Sequence, residues 1–252
     1  MELNYQRDDQ PVMQTAGRLL EEGRAALSSP DESPALGLFL QATELLDGER
    51  DSTMKADVLN DLALAYYRPG ALDEAIETFA CSRAVAVAIN DPVRTSMAEH
   101  NLGLMQLRRS SWADALQHFE AALSTLSARK HALNGPTLHR SGVAHDRLGL
   151  LDEADARYRE AIAELATGDH AREHSEALAD LARLQRRTGR HGEAYANFVK
   201  AVAVLEDDPI ARPAPRTIAL AAVQALRVGR PLGALRMTVR LLGHIRRRAR
   251  RS

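Results

Sequence analysis

The segment HAREHSE, residues 170–176, contains the residue types of a metal site. His170 and His174 are four residues apart, so on a helix their imidazoles would share a face, next to the Glu173 carboxylate. This spacing could hold Zn²⁺ and use the carboxylate as a general base. No third ligand is evident, and the segment follows the turn residues TGD. We therefore interpret both histidines as solvated side chains near a helix start, and we predict no metal site.

A second set of residues could bind anions. Arginine holds one position of a period of about 40 residues in five consecutive segments, at Arg68, Arg108, Arg147, Arg187 and Arg227. A guanidinium can form two parallel hydrogen bonds with one carboxylate, so this row favours an acidic segment as its ligand. The alternative is that the arginines only solvate turns, in a chain that is rich in arginine.

The side chains near this row are further candidates for contact with a partner. They combine amide, imidazole, apolar and guanidinium groups. The candidates are Asn60, Tyr67, His100, Asn101, Leu104, His139, Arg140, Arg183 and Arg186.

Residue patterns typical of catalysis are missing from the sequence. The chain has no glycine-rich phosphate-binding loop, and no Ser/His/Asp or Cys/His set can be nominated. The single cysteine, Cys81, excludes an internal disulfide and suits a reducing compartment; we expect it to be buried. The sequence therefore predicts a protein that is not an enzyme and that needs no cofactor.

The C-terminal segment is strongly basic. Residues 211–252 hold eleven arginines and no acidic residue, although the whole chain has a net charge of −1. Leu232, Leu235, Val239 and Leu242 form one stripe of a predicted amphipathic helix, which we expect to pack on the preceding helices as a cap. The final arginines could contact nucleic acid, an anionic membrane, or an acidic protein surface such as the chain's own body. These arginines are Arg246, Arg247, Arg248, Arg250 and Arg251.

An internal repeat determines the elements that must position these residues. Its spacing is 40 residues, with one step of 39, and it is marked by Ala35, Ala75, Ala115, Ala154, Ala194 and Ala234. Four residues after the alanine stand Phe39, Phe79, Phe119, Tyr158 and Phe198. Five residues before it stand Pro30, Gly70, Ser110, Gly149, Gly189 and Gly229, which favour turns. Twelve residues before it stand Gly23, Ala63, Gly103, Gly142, Ala182 and Ala222, which are all small.

Each repeat therefore predicts a helix–turn–helix hairpin. The small residues let two helices approach closely, and the aromatic ring fills the space beside them. One hairpin cannot bury its apolar face alone, so successive hairpins should stack. The predicted helices are 13–28, 34–48, 52–67, 71–90, 92–109, 112–130, 134–148, 151–168, 170–188, 191–206, 215–228 and 231–248.

The repeated segments resemble tetratricopeptide repeats. The likeness is carried by LALAYYRPGALDEAIETF and by its echoes NLGLMQLRRSSWADALQHFEAAL and GVAHDRLGLLDEADARYREAI, and it covers residues 15–245. The usual period is about 34 residues, so a period of 40 implies helices about one turn longer. The resemblance implies an all-α, right-handed α-solenoid of about six hairpins. In that family the first helix of each hairpin lines a concave groove that binds peptides.

These observations predict the domain organisation and the function. We expect a flexible N-terminus (1–12), five repeats (13–206), a linker (207–214) and a sixth repeat with the basic tail (215–252). The leading hypothesis is a cytoplasmic adaptor or scaffold that binds an acidic partner segment in its groove. One alternative is a regulator that senses a ligand or peptide and acts on a transcriptional complex. The other is contact of the basic tail with nucleic acid or an anionic membrane.

Overall fold

A computed structural model describes residues 9–29, 33–126, 131–167, 170–205 and 215–249. The backbone alone is described for residues 9, 10, 33, 215 and 241–249. The described residues form twelve α-helices and no strand. The helices are α1 (Asp9–Leu27), α2 (Ser33–Leu45), α3 (Thr53–Tyr67), α4 (Leu72–Ala88), α5 (Pro92–Arg108), α6 (Trp112–Leu126), α7 (Asn134–Leu148), α8 (Leu151–Leu165), α9 (Ala171–Arg187), α10 (His191–Val204), α11 (Pro215–Arg227) and α12 (Pro231–Ala249).

The helices pair into six hairpins, each joining an odd-numbered helix to the next even-numbered one. The chain divides at Arg129/Lys130 into two compact units of three hairpins. Unit 1 contains α1 to α6, and unit 2 contains α7 to α12. Within each unit the second helix of a hairpin packs against the first helix of the next hairpin.

The repeat residues form the core of each hairpin. The five aromatic residues of the repeat are at most 1% exposed, and the six repeat alanines are also buried. Glycines of the first helices lie directly against these rings. A Cβ on Gly103 would come within 2.5 Å of the Phe119 ring, and one on Gly142 within 2.8 Å of the Tyr158 ring. This close approach explains why the position holds only glycine or alanine.

The turn between paired helices requires a left-handed residue. Gly70, Gly149, Gly189 and Gly229 have φ between 70° and 94°, and Ser110 takes the same conformation with φ 62°. Glycine adopts this conformation without steric cost. The turn predicted from the repeat is therefore confirmed at these five positions.

Side-chain hydrogen bonds also join the two helices of a hairpin. Ser82 Oγ donates to the carbonyl of Ala56 at 2.8 Å, and Ser175 Oγ donates to the carbonyl of Ala201 at 2.6 Å. Both bonds occupy the same place in the repeat, with the serine on opposite helices. The backbones are close enough there for only a small side chain.

The helix boundaries agree closely with the repeat, with one clear difference at the N-terminus. Helix α1 begins at Asp9, inside the segment 1–12 that the sequence assigned to a flexible N-terminus. The predicted linker, 207–214, lies outside the described residues. The predicted grouping of repeats 1–5 apart from the sixth repeat stays a prediction.

Two predictions of burial are wrong. Cys81 is exposed. Its neighbour Ser82 is buried, and successive side chains of a helix point about 100° apart, so the thiol faces away from the core. The apolar stripe of α12 does not pack on the preceding helices, since Leu232, Leu235 and Val239 are 59–72% exposed. Ala234 and Met237 form the buried face of α12 instead. The side chain of Leu242 lies outside the described residues.

None of the described helices combines the length and the apolarity needed to cross a lipid bilayer.

Candidate functional site

The first helices of unit 1 share a row of polar hydrogen bonds. Asn101 Nδ2 on α5 donates to Asn60 Oδ1 on α3 at 2.8 Å, and Asn60 Nδ2 donates to Asp61 Oδ1 at 3.0 Å. Arg24 Nε on α1 donates to the other oxygen of the buried Asp61 at 2.6 Å. The row therefore links α5, α3 and α1 and holds the two amides in fixed positions.

About two turns further along the same helices, Tyr67 and Arg108 form a cation–π contact. The guanidinium carbon of Arg108 lies 5.2 Å from the centroid of the Tyr67 ring. Arg108 is exposed and Tyr67 is half-buried. A guanidinium has five N–H donors, and those that face solvent can still bind a carboxylate. The contact thus holds an exposed cation in place.

Two further predicted residues complete this surface of unit 1. Arg68 is the exposed C-terminal cap of α3, and Leu104 is half-buried against the core cluster of α3 to α5. We name the surface the α3–α5 face. It consists of Asn60, Tyr67, Arg68, Asn101, Leu104 and Arg108.

In unit 2, three of the predicted arginines pair with carboxylates of the chain itself. Arg140 Nη2 on α7 lies 3.2 Å from Glu176 Oε2 on α9. Arg187 on α9 forms a two-pronged contact with Asp146 on α7, with N–O distances of 2.5 and 3.2 Å. An incoming carboxylate would have to displace these internal partners. Unit 2 is therefore a weaker candidate than unit 1 for binding an acidic segment.

Asp180 on α9 joins two other predicted residues. His139 Nε2 lies 2.8 Å from Asp180 Oδ2, and Arg183 pairs with the same carboxylate. Burial alone would raise the pKa of Asp180, but the hydrogen bond from His139 and the charge of Arg183 hold that pKa below its usual value. Asp180 thus stays ionised and ties α7 to α9.

The two histidines among the candidates lie in the core. His100 is 7% exposed and packs 6.0 Å from the Phe119 ring, while His139 is 1% exposed and packs 5.9 Å from Tyr158. Both rings contact the aromatic residue of their own hairpin. The buried rings have almost no surface available to a partner.

The remaining basic candidates are not brought together into one site. Arg147 is exposed at the end of α7, whereas Arg186 is half-buried, and its Nε has no hydrogen-bond partner among the described residues. Residues 246–248 lie within α12 but their side chains are outside the described part, and residues 250 and 251 are outside it altogether.

The histidines of the HAREHSE segment occupy separate environments. His170 is the residue before α9, while His174 lines a cavity of about 560 Å³ between α8, α9 and α10. Burial lowers the pKa of His174. Over the described ranges, no group of three metal-ligating residues comes together.

Sequence reasoning missed an ion-pair network that fixes the start of α5. Asp91 caps the helix by accepting from the backbone N–H groups of Val93 and Arg94 at 3.1 and 3.0 Å. Arg94 also contacts Asp91 and Asp57, each at 2.7 Å. The sequence does contain a signal for this contact. Asp57 and Arg94 are 37 residues apart, which is nearly one repeat, so they lie on neighbouring first helices.

Comparison with known proteins relates the chain to repeat proteins. No family model matches it. A 93-residue segment is 31% identical to the transcriptional activator NprA of Geobacillus stearothermophilus, covering 35% of this chain and 23% of that protein. The chain therefore spans less than a quarter of the relative's length.

Solved structures with the same helix arrangement cover most of the chain. A signal transduction ATPase with a tetratricopeptide repeat sensor, from Pyrococcus horikoshii, matches 92% of this chain and 37% of its own, with TM-score 0.78 and 12% identity. PilF of Pseudomonas aeruginosa matches 92% of both chains, with TM-score 0.72 and 13% identity. PilW, a type IV pilus biogenesis factor, matches 92% of this chain and 94% of its own, with TM-score 0.71 and 17% identity. The chain therefore has the tetratricopeptide-repeat fold that its sequence resemblance implies.

Proposed function

We propose that the chain is a non-enzymatic interaction module that binds an acidic segment of a partner protein on the α3–α5 face. The observation that carries this proposal is the exposed Arg108 guanidinium, held over Tyr67 about two turns away from the paired amides of Asn60 and Asn101. Arginine would bind partner carboxylates, and the amides would bind partner backbone groups.

The rigidity of the α3–α5 face supports this function. Both the Asn60–Asn101 bond and the Tyr67–Arg108 contact join two neighbouring helices, so the binding groups are already ordered before a partner arrives. Less side-chain entropy is then lost on binding. The half-buried Leu104 adds an apolar contact beside the cation. We infer a groove-binding adaptor in the cytoplasm as the most consistent role.

Affinity capture from cells of the source organism tests the proposal. The comparison uses wild type, a Tyr67→Ser/Arg108→Ser variant and a matched control, Tyr195→Ser/Arg230→Ser. The control removes a second cation–π pair of the described residues, in which Arg230 lies 5.5 Å from the Tyr195 ring in unit 2. We expect the first variant to lose the partner by at least tenfold and the control to retain it. Equal recovery of the partner by all three proteins would refute the α3–α5 site.

A regulatory role in transcription is the second candidate. The similarity to a transcriptional activator favours it, because the matched segment is more similar in sequence than any of the structural matches reported above. In this role the captured partner would be a component of a transcriptional complex. Transcript profiling of a strain that carries Tyr67→Ser/Arg108→Ser distinguishes the roles, since a scaffold outside transcription would leave transcript levels unchanged.

A further inference from the structure

The last hairpin, α11–α12, presents a concentrated apolar surface. Half of the ten most exposed large apolar side chains of the described residues belong to it. Val223 and Leu226 on α11 are 48% and 64% exposed, and Leu235 and Val239 on α12 are 59% and 60% exposed. We name these four residues the end face.

Three of these four repeat positions are covered in the α3–α4 hairpin. Leu64, Tyr67 and Ile76 of the α3–α4 hairpin are the equivalents of Val223, Leu226 and Leu235. These three residues pack in one cluster with Leu102 and Met105 of the next first helix, α5.

In unit 2, one of these positions is covered in the same way at the first hairpin. Val143 on α7, the equivalent of Val223, packs against Leu181 and Leu184 of α9. Val223, Leu226 and Leu235 therefore lie at a repeat interface that no helix of the described residues covers.

The first hairpin closes its own outer side in a different way. Leu62, Leu102 and Leu181 occupy one position on inner first helices, and all three are buried. On α1 that position holds Glu22, which is exposed and pairs with Arg18 at 2.7 Å. A repeat with a polar outer face needs no covering helix. The last hairpin lacks such polar substitutions on its end face.

The charges around the end face indicate the sign of its partner. Exposed arginines directly follow the apolar residues, as Arg227 after Leu226, Arg236 after Leu235 and Arg240 after Val239. Residues 211–252 contain no acidic residue. A second copy of the same surface would bring these arginines together, and like charges at an interface oppose association.

We propose that the end face is a docking surface for an acidic amphipathic helix of another protein. The helix takes the place that a next first helix would occupy, so its apolar stripe covers Leu226 and Leu235. Its flanking carboxylates pair with Arg227 and Arg236. This surface shares no residue with the α3–α5 face, and the proposal does not depend on the function proposed above.

Binding of a synthetic helical peptide to the full chain tests the proposal. The peptide, of about 18 residues, carries leucines at i, i+3, i+4 and i+7 with glutamates on both flanks, and a second peptide has lysines instead. Fluorescence anisotropy at about 0.15 M salt, where exposed charges are screened beyond roughly 8 Å, compares their affinities. We expect the glutamate peptide to bind wild type at least tenfold more tightly than the lysine peptide.

Three variants assign the binding to the end face. Leu226→Ser/Leu235→Ser should weaken the glutamate peptide at least tenfold, and Arg227→Glu/Arg236→Glu should reverse the preference between the peptides. The matched control is Val87→Ser on α4, an apolar residue that is 56% exposed outside the end face. The control should bind like wild type. All the substituted side chains are exposed, so helical circular dichroism should be retained.

Several outcomes would overturn the proposal. Equal binding of the glutamate peptide by wild type and Leu226→Ser/Leu235→Ser would place that peptide on the basic tail instead. If wild type sediments with phosphatidylglycerol vesicles but does not bind the peptide, and the leucine variant no longer sediments, the partner would be a lipid surface. Binding of duplex DNA that is lost in the leucine variant would identify nucleic acid as the partner. Dimerisation of wild type that the leucine substitutions abolish would identify a second copy of the chain.

Discussion

At the scale of single residues, the fold depends on contacts between a small side chain and an aromatic ring. The ring of Phe119 lies where a side chain on Gly103 would be, and Tyr158 lies in the same way against Gly142. The repeat in the sequence reveals these residues, because their identity is set by packing inside one hairpin. Exposed residues are less predictable, as Cys81 shows: its neighbour Ser82 satisfies the packing requirement and turns the thiol outward.

Gly103→Ala should destabilise the protein by up to about 2 kcal/mol. The added methyl would contact the Phe119 ring at 2.5 Å, an overpacking cost of about 1–3 kcal/mol that the better helix propensity of alanine offsets by about 1 kcal/mol. The control is Gly37→Ala on α2, where a Cβ has no neighbour within 4 Å. Urea unfolding should show the control to be as stable as wild type or more stable. Equal stability of the two variants would contradict the packing account.

At the scale of elements, helix ends are fixed by groups that the sequence identifies only in part. Asp91 before Pro92 predicts the start of α5, and the structure confirms it through two backbone hydrogen bonds to the carboxylate. The contact of Arg94 with Asp57 comes from stacking two hairpins, so a single helix pattern does not reveal it. The same limit applies to α12. Its stripe of leucines and valine suggests a buried face, whereas the repeat alanine Ala234 marks the face that packs.

Asp91 should make stability depend on acid pH. Burial raises its pKa, but hydrogen bonds and the charge of Arg94 outweigh this and hold the pKa below its ordinary value of 3.8. A carboxyl whose pKa is lowered in the folded state stabilises that state above its unfolded pKa. This contribution is lost as the pH falls through the folded pKa. The free energy of unfolding of wild type should therefore fall more steeply below about pH 4 than that of Asp91→Asn.

Asp91→Ala provides the matching test at neutral pH. Asparagine retains an oxygen that can cap the helix, whereas alanine retains none, so Asp91→Ala should cost about 0.5–2 kcal/mol relative to Asp91→Asn. Urea unfolding at neutral pH and below about pH 4 checks both expectations. Parallel pH profiles of wild type and Asp91→Asn would show that the ionised carboxylate contributes nothing.

At the scale of the whole molecule, the 40-residue period predicts six hairpins but not which of their charged residues are available. The arginine row is regular in the sequence, yet its members differ in their contacts. Arg108 lies over an aromatic ring, while Arg187 is paired with Asp146. The difference comes from the first helix of the preceding hairpin. Arg108 meets Tyr67 there and Arg187 meets Asp146, and these two partners occupy the same repeat position. Site prediction therefore needs the register of neighbouring hairpins as well as the row itself.

A photoreactive amino acid in place of Leu104 tests the central claim most directly. Leu104 lies on the α3–α5 face among the polar residues that we propose to bind the partner segment. The control is the same photoreactive residue at Leu150, which is 42% exposed before α8 in unit 2. After illumination in cells, we expect a covalent adduct with an acidic partner protein from position 104 and none from position 150. An adduct from position 150 with none from position 104 would contradict the account.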